Sequence, residues 1–114
     1  MMKKSRLKLI LAILPLLLIN DGAFGQQTSA ADAVAMARKG DYATASTALE
    51  RAVNAGNVTS AVVESLYYSW IRQGEYVKAR DRFEAWAKTN PNAAPIRLAA
   101  ARANRWTGNY AAAL

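Results

Sequence analysis

Arg72-Gln73-Gly74-Glu75-Tyr76-Val77-Lys78-Ala79 is the middle member of a threefold repetition. One period earlier stands Arg38-Lys39-Gly40-Asp41-Tyr42-Ala43-Thr44-Ala45, and one period later Trp106-Thr107-Gly108-Asn109-Tyr110-Ala111-Ala112-Ala113. The three Gly, the three Tyr and the final Ala of each block all keep a spacing of 34 residues, the period of a helical repeat. Each block reads as a turn between two helices. Glycine accepts the left-handed conformation just past a helix C-terminus, and the basic residues before it suit the negative end of the helix dipole. Asp41 and Glu75 then stand where the next helix begins, a place that favours a carboxylate. The Tyr ring is expected in the elbow, and the small Ala lets the paired helices approach.

The segments between the blocks carry a helical apolar pattern. Val63, Leu66, Tyr67, Trp70 and Ile71 follow the spacing of one helix face. After Gly74, Tyr76, Ala79, Phe83 and Trp86-Ala87 do the same until Asn90-Pro91-Asn92 stops the helix. In the first unit the matching positions are Tyr42, Ala45, Leu49 and Ala52-Val53, and Ala55-Gly56-Asn57 ends the helix. The expectation is an all-α chain of helix-turn-helix units stacked as an α-solenoid.

A helix, a Gly turn, a second helix and this period resemble the tetratricopeptide repeat family. The resemblance spans residues 26–59, 60–93 and 94–114 in register. The middle unit matches best, with Gly74, Tyr76, Ala79, Phe83 and Pro91 and with Trp70 on its first helix. The first unit departs from the pattern, holding Leu49 where an aromatic often sits and Asn57 in the place of the closing Pro. Asp32 and Ala33 replace the Leu-Gly pair often found on its first helix. The third unit reaches Leu114 five residues into its expected second helix, 110–114, so a longer array is expected.

Working back to the N-terminus, Lys3, Lys4, Arg6 and Lys8 precede an apolar run over residues 9–19, and Ala23-Phe24-Gly25 follows. That order is the layout of a secretory signal peptide over residues 1–25, with cleavage expected after Gly25. The segment 7–19 would reach roughly 20 Å as a helix, short of the roughly 30 Å of a bilayer core. An uncleaved membrane anchor is the competing reading, and a lipoprotein anchor has no Cys to use. The formal charge of +7 owes four of its positives to this segment. Residues 26–114 carry 11 positives against 7 negatives, a net +4, which is ordinary for a protein surface. Export and that modest balance speak against nucleic acid as a partner. The expected location is the periplasm, or outside the cell, after cleavage.

Residues 26–114 contain 23 Ala and only 13 Leu, Ile, Val and Phe together, a level that without a regular pattern would suggest disorder. The repeat is that pattern.

The chain has no His and no Cys, which excludes Ser-His-Asp and Cys-His catalysis, thiol redox chemistry and conventional zinc sites. Asp81 and Glu84 are three apart, but Lys78, Arg80, Arg82 and Lys88 surround them at salt-bridge spacing and make a solvated helix face. The glycines of the blocks stand singly, so there is no phosphate-cradling loop, and Ser65 and Ser69 have no base in view. Asn57-Val58-Thr59 fits a glycosylation acceptor and is read as a turn between units. No catalytic residue, metal site or cofactor is expected.

What remains is a binding face. Tyr42, Tyr76, Phe83, Trp70 and Trp86 are assigned to packing. In the tetratricopeptide family the first helices of successive units line a groove for peptides. The resemblance places Arg38, then Glu64, Tyr68 and Arg72, then Arg102, Arg105 and Trp106 on that face. Arginines with aromatics suit an acidic or chain-terminal segment, although a merely solvated basic face also fits these residues. The Lys and Asn carboxylate clamp of chaperone-binding members is not matched, because Asn104 has no Lys beside it. The expected function is a non-catalytic exported module that holds protein or peptide partners in the cell envelope. The alternative is the N-terminal scaffold of a larger exported enzyme with its catalytic domain beyond Leu114.

Overall fold

The computed structural model describes residues 28–108, so the expected signal segment and the expected helix over 110–114 lie outside the described residues. Among the described residues the protein is all-α, with five helices and no strand: α1 Ala30–Arg38, α2 Tyr42–Asn54, α3 Ser60–Arg72, α4 Tyr76–Thr89 and α5 Ala94–Trp106. None of them is long and apolar enough to cross a membrane.

The glycines act where the spacing predicts. Gly40 and Gly74 follow α1 and α3 with φ of +94° and +77°. At the first, Gly40 N–H donates to the Ala37 carbonyl at 3.0 Å and Asp41 N–H to the Met36 carbonyl at 3.0 Å. At the second, Gly74 and Glu75 donate in the same way to Ile71 and Trp70, at 3.0 and 2.9 Å. This pair of bonds satisfies carbonyls that a helix end otherwise leaves open. Asp41 and Glu75 do occupy the N-cap positions, but neither makes a side-chain capping bond. Their carboxylates act through the helix dipole alone. Ser29 does cap α1, its Oγ accepting from Asp32 N–H at 3.1 Å. The Asn57-Val58-Thr59 turn is closed by Thr59 Oγ1 donating to Asn57 Oδ1 at 2.9 Å.

Helix α1 packs on α2 and α3, α2 on α3, α3 on α4 and α5, and α4 on α5. The sparse set of large apolar side chains is spent almost entirely inside. Trp70, Phe83, Leu49, Leu66, Ile96 and Val63 are essentially fully buried, each worth about 1.5–3 kcal/mol for the larger ones. Ala33, Ala37, Ala45, Ala48, Ala79, Ala99 and Ala103 fill the remaining seams. An Ala-rich chain thus gains a core by bringing helix backbones close, so that few large side chains suffice.

The aromatic part of the core sits in the middle unit. The Trp70 ring lies parallel to Trp86 at 6.1 Å and edge-on to Phe83 at 5.6 Å, and Tyr67 lies 6.3 Å from Phe83. Trp86 Nε1–H donates to Asn54 Oδ1 at 3.0 Å, and Arg82 pairs with Glu50. These side chains tie α4 to α2. Two assignments need correction. Tyr76 is not in the core: it is 38% exposed and stacks on Trp106. Glu84 does not belong to a solvated charge lattice, because its Oε2 accepts from Nδ2 of the buried Asn104 at 2.8 Å. In both cases the deciding partner comes from α5, which a pattern read within one helix does not contain.

Candidate partner-binding site

The seven residues of the expected binding face gather at two places. At the first, Arg38 from the last turn of α1 and Glu64 and Tyr68 from α3 line a cleft of about 370 Å³, completed by Ala37, Tyr42, Ala61 and Ser65. Glu64 and Tyr68 are four apart and therefore share one face of α3. The Schellman turn at Gly40 folds the chain back so that Tyr42, at the start of α2, reaches the same cleft. A second hollow of about 320 Å³, lined by Ala30, Ala31, Val34, Arg38, Asn57, Ala61 and Val62, shares Arg38 and Ala61 with the first. The two run together along the seam between α1 and α3.

Arg72 lies against two of the rings that line the first cleft. Its guanidinium lies 5.6 Å from the centre of the Tyr42 ring and 5.7 Å from that of Tyr68, and the two rings meet edge-on at 5.8 Å. A guanidinium within about 6 Å of a ring centre is attracted by the ring's quadrupole. The bond from Arg72 Nη1 to Tyr68 Oη, at 3.4 Å, is long and secondary. Arg72 thus holds Tyr42 and Tyr68 in place, and its charge is only partly free for a partner.

At the second place, Arg102, Arg105 and Trp106 of α5 line a cleft of about 320 Å³ with Tyr67 of α3. Trp106 is 55% exposed, yet it is held twice. Its ring stacks on Tyr76 at 5.4 Å, nearly parallel, and its Nε1–H donates to Tyr67 Oη at 2.6 Å. The stacking repeats the first place at one period. Arg72 covers Tyr42, and 34 residues on Trp106 covers Tyr76.

No family model, curated protein or solved structure matches this chain. The chemistry of these two clefts is therefore argued from their own residues.

Three lining arginines, Arg38, Arg102 and Arg105, against one glutamate, Glu64, give the two clefts a positive balance. Arg38, Glu64, Arg102 and Arg105 form no ion pair among the described residues. The Tyr67 hydroxyl titrates above the ordinary tyrosine value of 10.0, chiefly because burial disfavours the phenolate. The Trp106 hydrogen bond and the charges of Arg102 and Arg105 oppose that shift without cancelling it. The phenol therefore stays protonated at neutral pH. Among the described residues no three His, Cys, Asp or Glu gather in a way that could hold a metal. The arrangement suits recognition of a flat or anionic group.

Sequence reasoning missed Tyr42, Tyr67 and Tyr76. Tyr42 and Tyr76 were visible as repeat positions, but a ring in an elbow can face the core or the groove, and helical spacing alone does not choose. Tyr67 follows the core spacing of α3, and only the approach of α5 brings its hydroxyl to Trp106.

Proposed function

We propose that the chain is a non-catalytic, exported helical-repeat module of the tetratricopeptide kind, whose stacked helix pairs hold an acidic protein or peptide segment. The observation that carries this reading is the convergence of Arg38, Glu64 and Tyr68 with Tyr42 in one cleft beside Arg72. Support for an α-solenoid comes from the identical turn bonds at Gly40 and Gly74 and from the Tyr covered by a flat side chain of the following unit in both pairs. Each first helix also contacts the next, α1 to α3 to α5, as stacked units require. Support for export is the basic, apolar, small-residue order of residues 1–25.

Selection of displayed peptides on the full chain tests the binding reading. Acidic segments should be enriched, and the double substitution Arg38→Ala with Tyr68→Ala should weaken them by about tenfold or more, the scale of one lost charge-assisted contact. Arg51→Ala, on the exposed side of α2 away from both clefts, should leave them bound. Enrichment of neutral or basic segments, or indifference to the double substitution, sinks the proposal. Fusion of residues 1–25 to a reporter active only outside the cytoplasm tests export, and an inactive reporter counts against it.

A further inference from the structure

We propose that the outward face of α5, made by Leu98, Arg102 and Arg105 with Trp106 at its edge, docks on the surface of an anionic lipid bilayer. This goes beyond the partner reading, which is carried by the first cleft at Arg38, Glu64 and Tyr68.

Charge on α5 is of one sign. Its 13 residues, Ala94–Trp106, hold Arg97, Arg102 and Arg105 and no acid. Each of the other four helices carries at least one, from Asp32 in α1 to Glu84 in α4. Ile96, Ala99, Ala100, Ala103 and Asn104 are buried where α5 packs on α3 and α4, so Leu98, Arg102 and Arg105, at i, i+4 and i+7, share the opposite face. The acids of those two neighbours are engaged elsewhere. On α4, Asp81 pairs with Arg80 and Glu84 accepts from Asn104; on α3 the one acid, Glu64, lines the first cleft. Arg97 turns back to the Pro91 carbonyl at 2.7 Å. Arg102 and Arg105 form no ion pair among the described residues.

Beside these charges stand apolar groups that protrude. Leu98 is 45% exposed and lies outside the clefts described above. Trp106 lays one ring face on Tyr76 and remains largely open to solvent. A peptide gains from an apolar side chain by enclosing it in a matching pocket. A bilayer interface closes round any side chain that protrudes, with no shape complementarity required. Aromatic rings with a polar tip and arginines with apolar stems are the side chains that settle at headgroup depth. Trp106 is prepared for that layer, because its N–H already donates to Tyr67 Oη at 2.6 Å. The indole therefore leaves water without leaving a donor unpaired. Guanidinium forks match the phosphodiester of a lipid headgroup through two parallel bonds.

A second copy of the chain is a poorer occupant. A two-fold contact through this face sets Arg102 and Arg105 against themselves, and like charges oppose it. No helix among the described residues is long and apolar enough to cross a membrane, so the contact is one that lies on the bilayer.

The test mixes the isotope-labelled full chain with bicelles that carry a lipid with a paramagnetic headgroup, and reads N–H line broadening residue by residue. The bicelles are phosphatidylcholine alone, or phosphatidylcholine and anionic phosphatidylglycerol in equal parts. With the anionic bicelles, Leu98, Arg102, Arg105 and the Trp106 indole should broaden, more than the Trp70 and Trp86 indoles, and the effect should fade as salt is raised. Neutral bicelles should leave α5 sharp. Residues 1–25 are basic and apolar and are present in every sample, so their own lipid contact is constant and differences between variants belong to α5. Arg102→Gln with Arg105→Gln should remove the α5 broadening while that of residues 1–25 persists. Leu98→Gln should reduce it, and Arg51→Gln, on α2, should not. The Trp70 and Trp86 indole signals, in their parent positions, check that each variant is folded.

Broadening confined to residues 1–25, equal broadening of α5 by neutral bicelles, or its persistence in the folded double variant overturns the proposal. So does a saturable shift of the same α5 signals with inorganic phosphate alone, or with an acidic peptide and not with bicelles. The two readings fail separately: loss here leaves peptide selection through Arg38 and Tyr68 untouched, and a failed peptide selection refutes only the partner reading.

Discussion

Single residues carry separable energetic roles here. Ser69 is fully buried and its Oγ has no hydrogen-bond partner, although its carbonyl accepts from Gln73 Nε2 at 3.0 Å. A buried hydroxyl left unpaired costs about 1–3 kcal/mol, so Ser69→Ala should leave the unfolding midpoint in urea unchanged or raise it. A clear fall in the midpoint would show that the hydroxyl has a partner in solution. Gly74 has open space where a Cβ would go, so Gly74→Ala meets no steric neighbour and its cost is the backbone alone. With φ at +77°, that cost should be about 1–2 kcal/mol, measurable by the same unfolding curves, and Asn at this position should cost less. Tyr67 gives a pH signature. Its folded-state pKa is raised, so the folded chain binds that proton more tightly than the unfolded chain. The associated stability is complete below the ordinary value of 10.0 and is lost as pH rises through the higher folded value. Stability measured through this alkaline window should fall less steeply in Tyr67→Phe than in the parent chain.

The helices differ in how much they hold. Helix α1 buries Ala33, Val34 and Ala37, all small, whereas α3 and α4 bury Trp70, Leu66, Val63 and Phe83 in an aromatic cluster. Local opening should therefore cost least in α1 and most in α3 and α4. Amide hydrogen exchange should show residues 30–38 exchanging well before residues 62–72 and 79–86, and uniform protection would contradict this ranking. Phe83 and Leu49 occupy the same position of successive units, but only Phe83 contacts three other rings. Phe83→Ala should cost about 3–5 kcal/mol, a large share of the stability of a small domain, with loss of helical circular dichroism at a much lower temperature. Much of this was legible beforehand. The Gly spacing placed the turns, and the i, i+4 pattern placed Glu64 and Tyr68 on one face. The depth of the Trp70 cluster was not, because its rings come from two helices and sequence spacing does not give ring distances.

At the scale of the whole molecule, charge contributes little to holding the fold together. Its two ion pairs among the described residues, Arg80 with Asp81 and Arg82 with Glu50, are partly solvent-exposed, and such pairs contribute about 0–1 kcal/mol. The repeat period, the helix ends and the missing catalytic residue types followed from the amino-acid sequence by itself, because they depend on local backbone preference and on which side chains exist. Local order could not say which face each elbow ring would take. Tyr76 left the core to stack on Trp106, Glu84 turned to Asn104, and the Tyr67 hydroxyl met Trp106 only once α5 had docked on α3 and α4. Those outcomes belong to the tertiary structure, because each is set by the distance between residues on different helices, 20 or more apart along the chain.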